Sequence, residues 1–103
     1  MAINSFKSYQ VTGVTTEQVV FTGPINTQTT IIGMTLCNVG GVSMYVNIKL
    51  NNAYLVKDIP VPTGSTFIPI GGEQKVVVEA SDTVSVICSA SSADVIISTL
   101  EIA

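Results

Sequence analysis

The chain has 103 residues, 47% of them hydrophobic and 11% charged, with four lysines, no arginine, no histidine and a net charge of −3. Charged residues make up about 25% of an ordinary soluble domain, so this chain has few means of keeping neighbours away, and much of its surface is expected to be covered by copies of itself or by a larger partner. Lys7, Lys49, Lys57 and Lys75 are scattered and no guanidinium is present, so direct nucleic-acid binding is not expected. Missing histidine removes the commonest general base, and no enzyme is expected.

In chain order, β-branched residues dominate, and Gly, Pro, Asn or Asp interrupts them every eight to twelve positions, the rhythm of short strands. Residues 1–7 lack a charged start followed by an apolar run, and no stretch approaches the 18 or so apolar residues of a membrane helix. The expectation is a protein made in a cytoplasm, away from membranes, and leaving it only within an assembly. Residues 1–8 are a possible N-terminal strap, ahead of a first strand over 6–14 and a second over 17–21, closed by Thr22-Gly23-Pro24. Residues 29–38 form the longest apolar run and read as a strand buried on both sides, at the centre of a sheet.

Gly40-Gly41 predicts a hairpin with positive φ. Over 42–50, Val42, Met44, Val46, Ile48 and Leu50 alternate with Ser43, Tyr45, Asn47 and Lys49, which predicts one buried face. Asn51-Asn52 turns the chain into a returning strand over 53–57. Pro60 and Pro62 each delete a ladder donor, so 59–62 is an edge strand or a crossing between sheets.

Short strands over 66–70 and 75–79 flank a turn at Gly71-Gly72. Val84, Val86, Cys88 and Ala90 share a face over 83–90, and Ile96, Leu100 and Ile102 share one over 95–102. With no repeat, linker or composition shift, 1–103 reads as one all-β domain. About eight short strands suit a two-sheet antiparallel β-sandwich, jelly-roll or immunoglobulin-like, with a small closed barrel as runner-up.

Cys37 and Cys88 lie in apolar runs, have no CxxC partner, and are expected as reduced, buried thiols. Asp82 and Asp94 fall in predicted turns, where aspartate caps local backbone. Glu79, Ser81 and Asp82 are too few oxygens to signal a cation site. Gly40-Gly41 and Gly71-Gly72 do not open a phosphate-binding helix. No cofactor and no metal is expected. Tyr9, Tyr45 and Tyr54 are a possible sugar or partner platform, though cross-strand packing is the commoner use of such residues.

Three groups of residues carry a resemblance: Val20-Phe21-Thr22-Gly23-Pro24; then Ile31-Ile32-Gly33-Met34-Thr35-Leu36-Cys37-Asn38; then the alternating strand over 42–50, the Pro-flanked segment over 59–65, and the acidic turn and strand over 76–86. Together they are similar to small virion structural proteins of tailed bacteriophages, of the capsid decoration or cement type, with Gly23-Pro24 where Ala-Pro is more usual. The resemblance implies a β-sandwich on the capsid surface of a virion assembled in a bacterial cytoplasm. It also implies binding to the major capsid protein, as a homotrimer or other homo-oligomer, and carries no catalytic residue. The residues expected to bind partners are Ala2, Ile3, Phe6 and Tyr9 in the N-terminal segment and Pro60, Val61 and Pro62 at the proline edge. The alternative is a binding module of the neck, tail or fibre.

Overall fold

The computed structural model describes residues 4–71 and 74–103. Every regular element among them is a strand: β1 (Asn4–Val14), β2 (Glu17–Thr22), β3 (Gln28–Asn38), β4 (Met44–Leu50), β5 (Ala53–Val61), β6 (Thr66–Ile70), β7 (Val76–Val78), β8 (Thr83–Cys88) and β9 (Ala93–Ile102). Two antiparallel sheets result, one ordered β1-β9-β3-β6 with β7 also on β3, the other β2-β8-β4-β5. We call them the β3 sheet and the β4 sheet.

The pairing follows one long antiparallel hairpin: β1 with β9, β2 with β8, β3 with β6 and β7, β4 with β5. Rolling that hairpin up brings β9 against β3 and β8 against β4. This is the jelly-roll winding, and it decides between the two sandwich types that the sequence left open. The nine strands exceed the expected eight because the strand opposite β3 is split. β6 covers Met34 to Cys37 and β7 covers Thr29 to Ile31, with residues 71–75 linking them. Gly72 of the expected Gly71-Gly72 turn lies outside the described residues.

Between the sheets, Ile31, Met34 and Leu36 of β3 meet Val46 and Ile48 of β4 and Val84 and Val86 of β8 in one core, closed by Val14, Ile70, Val78 and Ile97. Two departures from strict alternation have local causes. Val20 and Phe21 are both buried because the β2–β8 register slips between Val19 and Phe21. β5 runs unbroken from Ala53 through Pro60 to Val61, with a bulge at Lys57 and Asp58 that re-sets its register. There Asp58 takes φ +54 and its N–H donates to Asn47 Oδ1 at 2.8 Å.

The structure corrects four expectations. Residues 4–8 are not a free strap but the first half of β1, paired from Asn4 opposite Ile102 onward. Val42 lies before β4 and is exposed, so the alternating strand starts at Met44. Gly40 and Gly41 are absent from the positive-φ residues; Gly40 is required by space, since a Cβ there would stand 1.9 Å from Ser91 Oγ. β3 is central in its sheet but is not buried on both sides: Thr30, Thr35 and Cys37 alternate half-exposed with buried neighbours.

Candidate functional site

Residues directly opposite one another on antiparallel strands share a face, so the registers map each sheet's outer surface. On the β3 sheet, one row crosses four strands: Phe6 opposite Leu100, Leu100 opposite Thr30, Thr30 opposite Val77. Neighbouring rows add Asn4, Ile102 and Gln28; Ser8, Ser98 and Gly33; and Gln10, Ile96 and Thr35. Cys37, Thr66 and Ile68 complete the surface beside β6. Phe6 is 76% exposed, Ile68 62%, Val77 49% and Ile96 46%. Asp94 is the one charged side chain that the described strands place on this face, and it accepts a hydrogen bond from the Gly13 N–H at 3.1 Å. The apolar run of β3 thus reflects a sheet whose outer side is open rather than covered.

The β4 sheet is different in kind. Its outer rows place Glu17, Ile87 and Asn47 together, and Val19, Ser85, Lys49 and Tyr54 together. The ammonium groups of Lys49 and Lys57 lie 5.6 and 5.2 Å from the centre of the Tyr54 ring, so the ring faces two cations. The strands therefore place Glu17, Lys49 and Lys57 on this side of the sandwich.

A buried polar cluster sits between the sheets near the chain's end. Glu101 is 4% exposed; its Oε2 accepts hydrogen bonds from Tyr9 Oη and from Thr99 Oγ1 at 3.0 Å, and its Oε1 lies 3.7 Å from Lys7 Nζ. Burial pushes the Tyr9 hydroxyl up to about 12, with further upward contributions from its hydrogen bond to Glu101 and from the Glu101 charge. The Tyr9 ring meets Phe21 edge-on at 4.9 Å, joining β1 to β2 across the sandwich. Thr29, opposite Glu101, is fully buried and its Oγ1 has no partner among the described residues.

Asn38 forms a second hub. Its Nδ2 donates to Val42 O and Val61 O, both at 2.9 Å, while Oδ1 accepts from Gly40 N at 3.1 Å and Ser91 Oγ at 2.8 Å. All four of its side-chain capacities are used, so one amide fastens three loop regions at one end of the sandwich.

These placements redistribute the residues expected to meet a partner. Ala2 and Ile3 lie outside the described residues. Phe6 is exposed on the outer face of the β3 sheet, as a docking residue requires. Tyr9 points inward and is committed to Glu101 and Phe21, so it leaves the proposed platform; Tyr45 and Tyr54 are exposed on the β4 sheet but sit opposite Pro60 and Lys49, about 13 Å apart along the strand. Pro60 and Pro62 are exposed on and just beyond edge strand β5, whereas Val61 is buried in the core and its carbonyl is held by Asn38.

Asp82 behaves as a turn residue, its Oδ2 accepting from Glu79 N and Oδ1 from Asn51 Nδ2, each at 3.1 Å; Asp94, expected in a turn, lies in β9 and accepts from the distant Gly13 N–H instead. Among the described residues no three His, Cys, Asp or Glu side chains gather as a metal site would need. Both cysteines are free; Cys37 is half-exposed rather than buried, while burial pushes the Cys88 thiol up. The rows missed by sequence reasoning, Leu100, Thr30 and Val77 beside Phe6, left one signal: Ile96, Leu100 and Ile102 share a face, and it is the open one.

No family model and no curated protein matches the chain. Among solved structures it is similar to a Bacillus endospore appendage protein, from work describing a family of disulfide-linked pili, over 98% of this chain and 86% of that one, with a TM-score of 0.54 and 18% identity. At that identity the likeness is one of fold.

Proposed function

We propose that the chain is a non-catalytic structural protein that works by docking onto other protein, in the form of a bacteriophage decoration protein that binds the major capsid protein and bridges neighbouring shell subunits. The observation that carries this reading is the outer face of the β3 sheet: four strands wide, apolar or neutral along its rows but for Asp94, and flanked by Phe6 and Ile68 at its edges. Contiguous exposed apolar surface of this kind is a mark of protein association. Asp82 engaged in a turn, Asp94 engaged by the Gly13 N–H, and the absence of histidine from the sequence support a role without catalysis. The resemblance of the turn and strand sequence to decoration proteins supports the shell as the partner.

The test is the copy number of the polypeptide in purified particles, together with binding of the isolated protein to shells that lack it. Hundreds of copies per particle and saturable binding are expected. A few dozen copies or fewer would point to the neck, tail or fibre and end the decoration reading.

A second reading, a subunit of a filament, is favoured by the fold shared with an endospore pilus protein. The half-exposed Cys37 would then be the thiol available for a link between subunits, and Cys88 would not. Non-reducing electrophoresis of assembled material separates the two: a disulfide-linked dimer band abolished by Cys37→Ser supports the filament, and reduced monomer bands support the shell protein.

A further inference from the structure

We propose that the first occupant of the outer face of the β3 sheet is a second copy of this chain, packed sheet to sheet about a two-fold axis. The proposal rests on the docking role above and names the partner.

Three features on this face fit a copy of itself. The first is size. β1 and β3 have eleven residues each, β9 ten, and the split β6 and β7 five and three; at about 3.3 Å per residue and about 4.8 Å per strand they offer roughly 630 Å² before side-chain relief is counted, within reach of the roughly 800 Å² per partner of a standard stable interface.

The second is charge. Each copy carries −3, and two like-charged molecules associate only if their charges stay apart. The strands put Glu17, Lys49 and Tyr54 with its cations on the opposite sheet, and the turn acids Glu79 and Asp82 at the loops; Asp94, the one charged side chain that the described strands place on the face, is held by the Gly13 amide, and the exposed Lys75 stands just before β7 at its margin. Two β3 sheets stacked about 10 Å apart place the charged sheets on the two outer sides, beyond the roughly 8 Å screening length of physiological salt.

The third is shape. A two-fold axis parallel to the strands reverses the order of strands across the face, so the row Phe6, Leu100, Thr30, Val77 meets its own reverse. Phe6 of one copy then stands over Val77 of the other, and Leu100 over Thr30, large against small at every step. Such a contact is isologous and closes at two copies.

The experiment measures the mass of the purified chain in solution by light scattering and sedimentation, for wild type, for Val77→Lys/Ile96→Lys, and for the control Val19→Lys on the β4 sheet. All three sites are about half-exposed, so circular dichroism melts verify that each variant folds. Wild type and the control are expected as dimers in the micromolar range, insensitive to salt, with the double variant at least about 100-fold weaker because it buries unpaired ammonium groups.

A monomeric wild type, or an oligomer of any size unchanged by the double variant, overturns the proposal. The same proteins added to shells keep the two readings apart. A monomer that binds shells only with an intact face leaves the docking role standing and removes the second copy; a face-dependent dimer that ignores shells does the reverse.

Discussion

Glu101 and Asn38 show how a chain so poor in charge uses its polar side chains. Glu101 is buried beneath β1, and its carboxylate is tolerated because two hydroxyls donate to it and Lys7 approaches from the edge. Tyr9 consequently holds its proton to about 12 instead of the ordinary 10. A group whose pKa is raised by folding stabilises the fold fully below its unfolded value and ceases to do so as the pH climbs through its folded value. Unfolding free energy should therefore fall between pH 10 and 12, and absorbance titration of the phenolates should contain a late component. Tyr9→Phe should remove that component and flatten the alkaline loss of stability.

Two substitutions near opposite ends of β3 should act in opposite directions. Asn38→Ala leaves the Val42 and Val61 carbonyls, the Gly40 amide and the Ser91 hydroxyl short of a partner, and should cost about 3 kcal/mol in urea unfolding. Thr29→Val replaces a buried hydroxyl that has no partner by a methyl of similar shape, and should raise stability by about 1 kcal/mol.

Among the elements, β1 has two tasks that a sequence reading treats as one. Its outward residues, Phe6 above all, belong to the docking face, while Lys7 and Tyr9 point inward and roof Glu101. Removing residues 2–7 should weaken attachment. Because residues 4–7 pair with 99–102, the deletion should also speed hydrogen exchange at the β9 amides and lower the melting temperature. Phe6→Ser, at a side chain 76% exposed, should weaken association with little change in melting. Comparing the two separates the surface from the strand that carries it. β5 is the complementary case, since its prolines sit on an outer edge of the β4 sheet where missing amide donors leave no ladder bond unmade.

For the whole molecule, the jelly-roll winding pairs the first strand with the last and β2 with β8, so most of the ladder joins residues far apart in sequence. β4 with β5 is the one local hairpin in the winding. Loop closure must precede most of the favourable contacts, and refolding should fall in the millisecond-to-second range characteristic of non-local β topologies. Stopped-flow tyrosine fluorescence after urea dilution measures it, and microsecond folding would contradict this account.

What the sequence by itself determined is what local chemistry dictates. Period-two alternation, β-branched content and turn residues such as Asn51, with φ +54, specified an all-β chain and most strand boundaries. Prolines 60 and 62 marked an edge. Those properties belong to single residues and their near neighbours.

Only the tertiary structure decided which side of each strand meets the core. An apolar run such as β3, or the alternation of Ile96, Leu100 and Ile102, reads the same whether a second layer covers it or not, because hydrophobicity records a preference for leaving water and not the identity of the neighbour. The winding that set β9 between β1 and β3 turned Val95, Ile97, Thr99 and Glu101 inward and left the apolar residues between them facing out. It also brought Tyr9 to Glu101 across 92 residues of chain, a contact no spacing in the sequence announces.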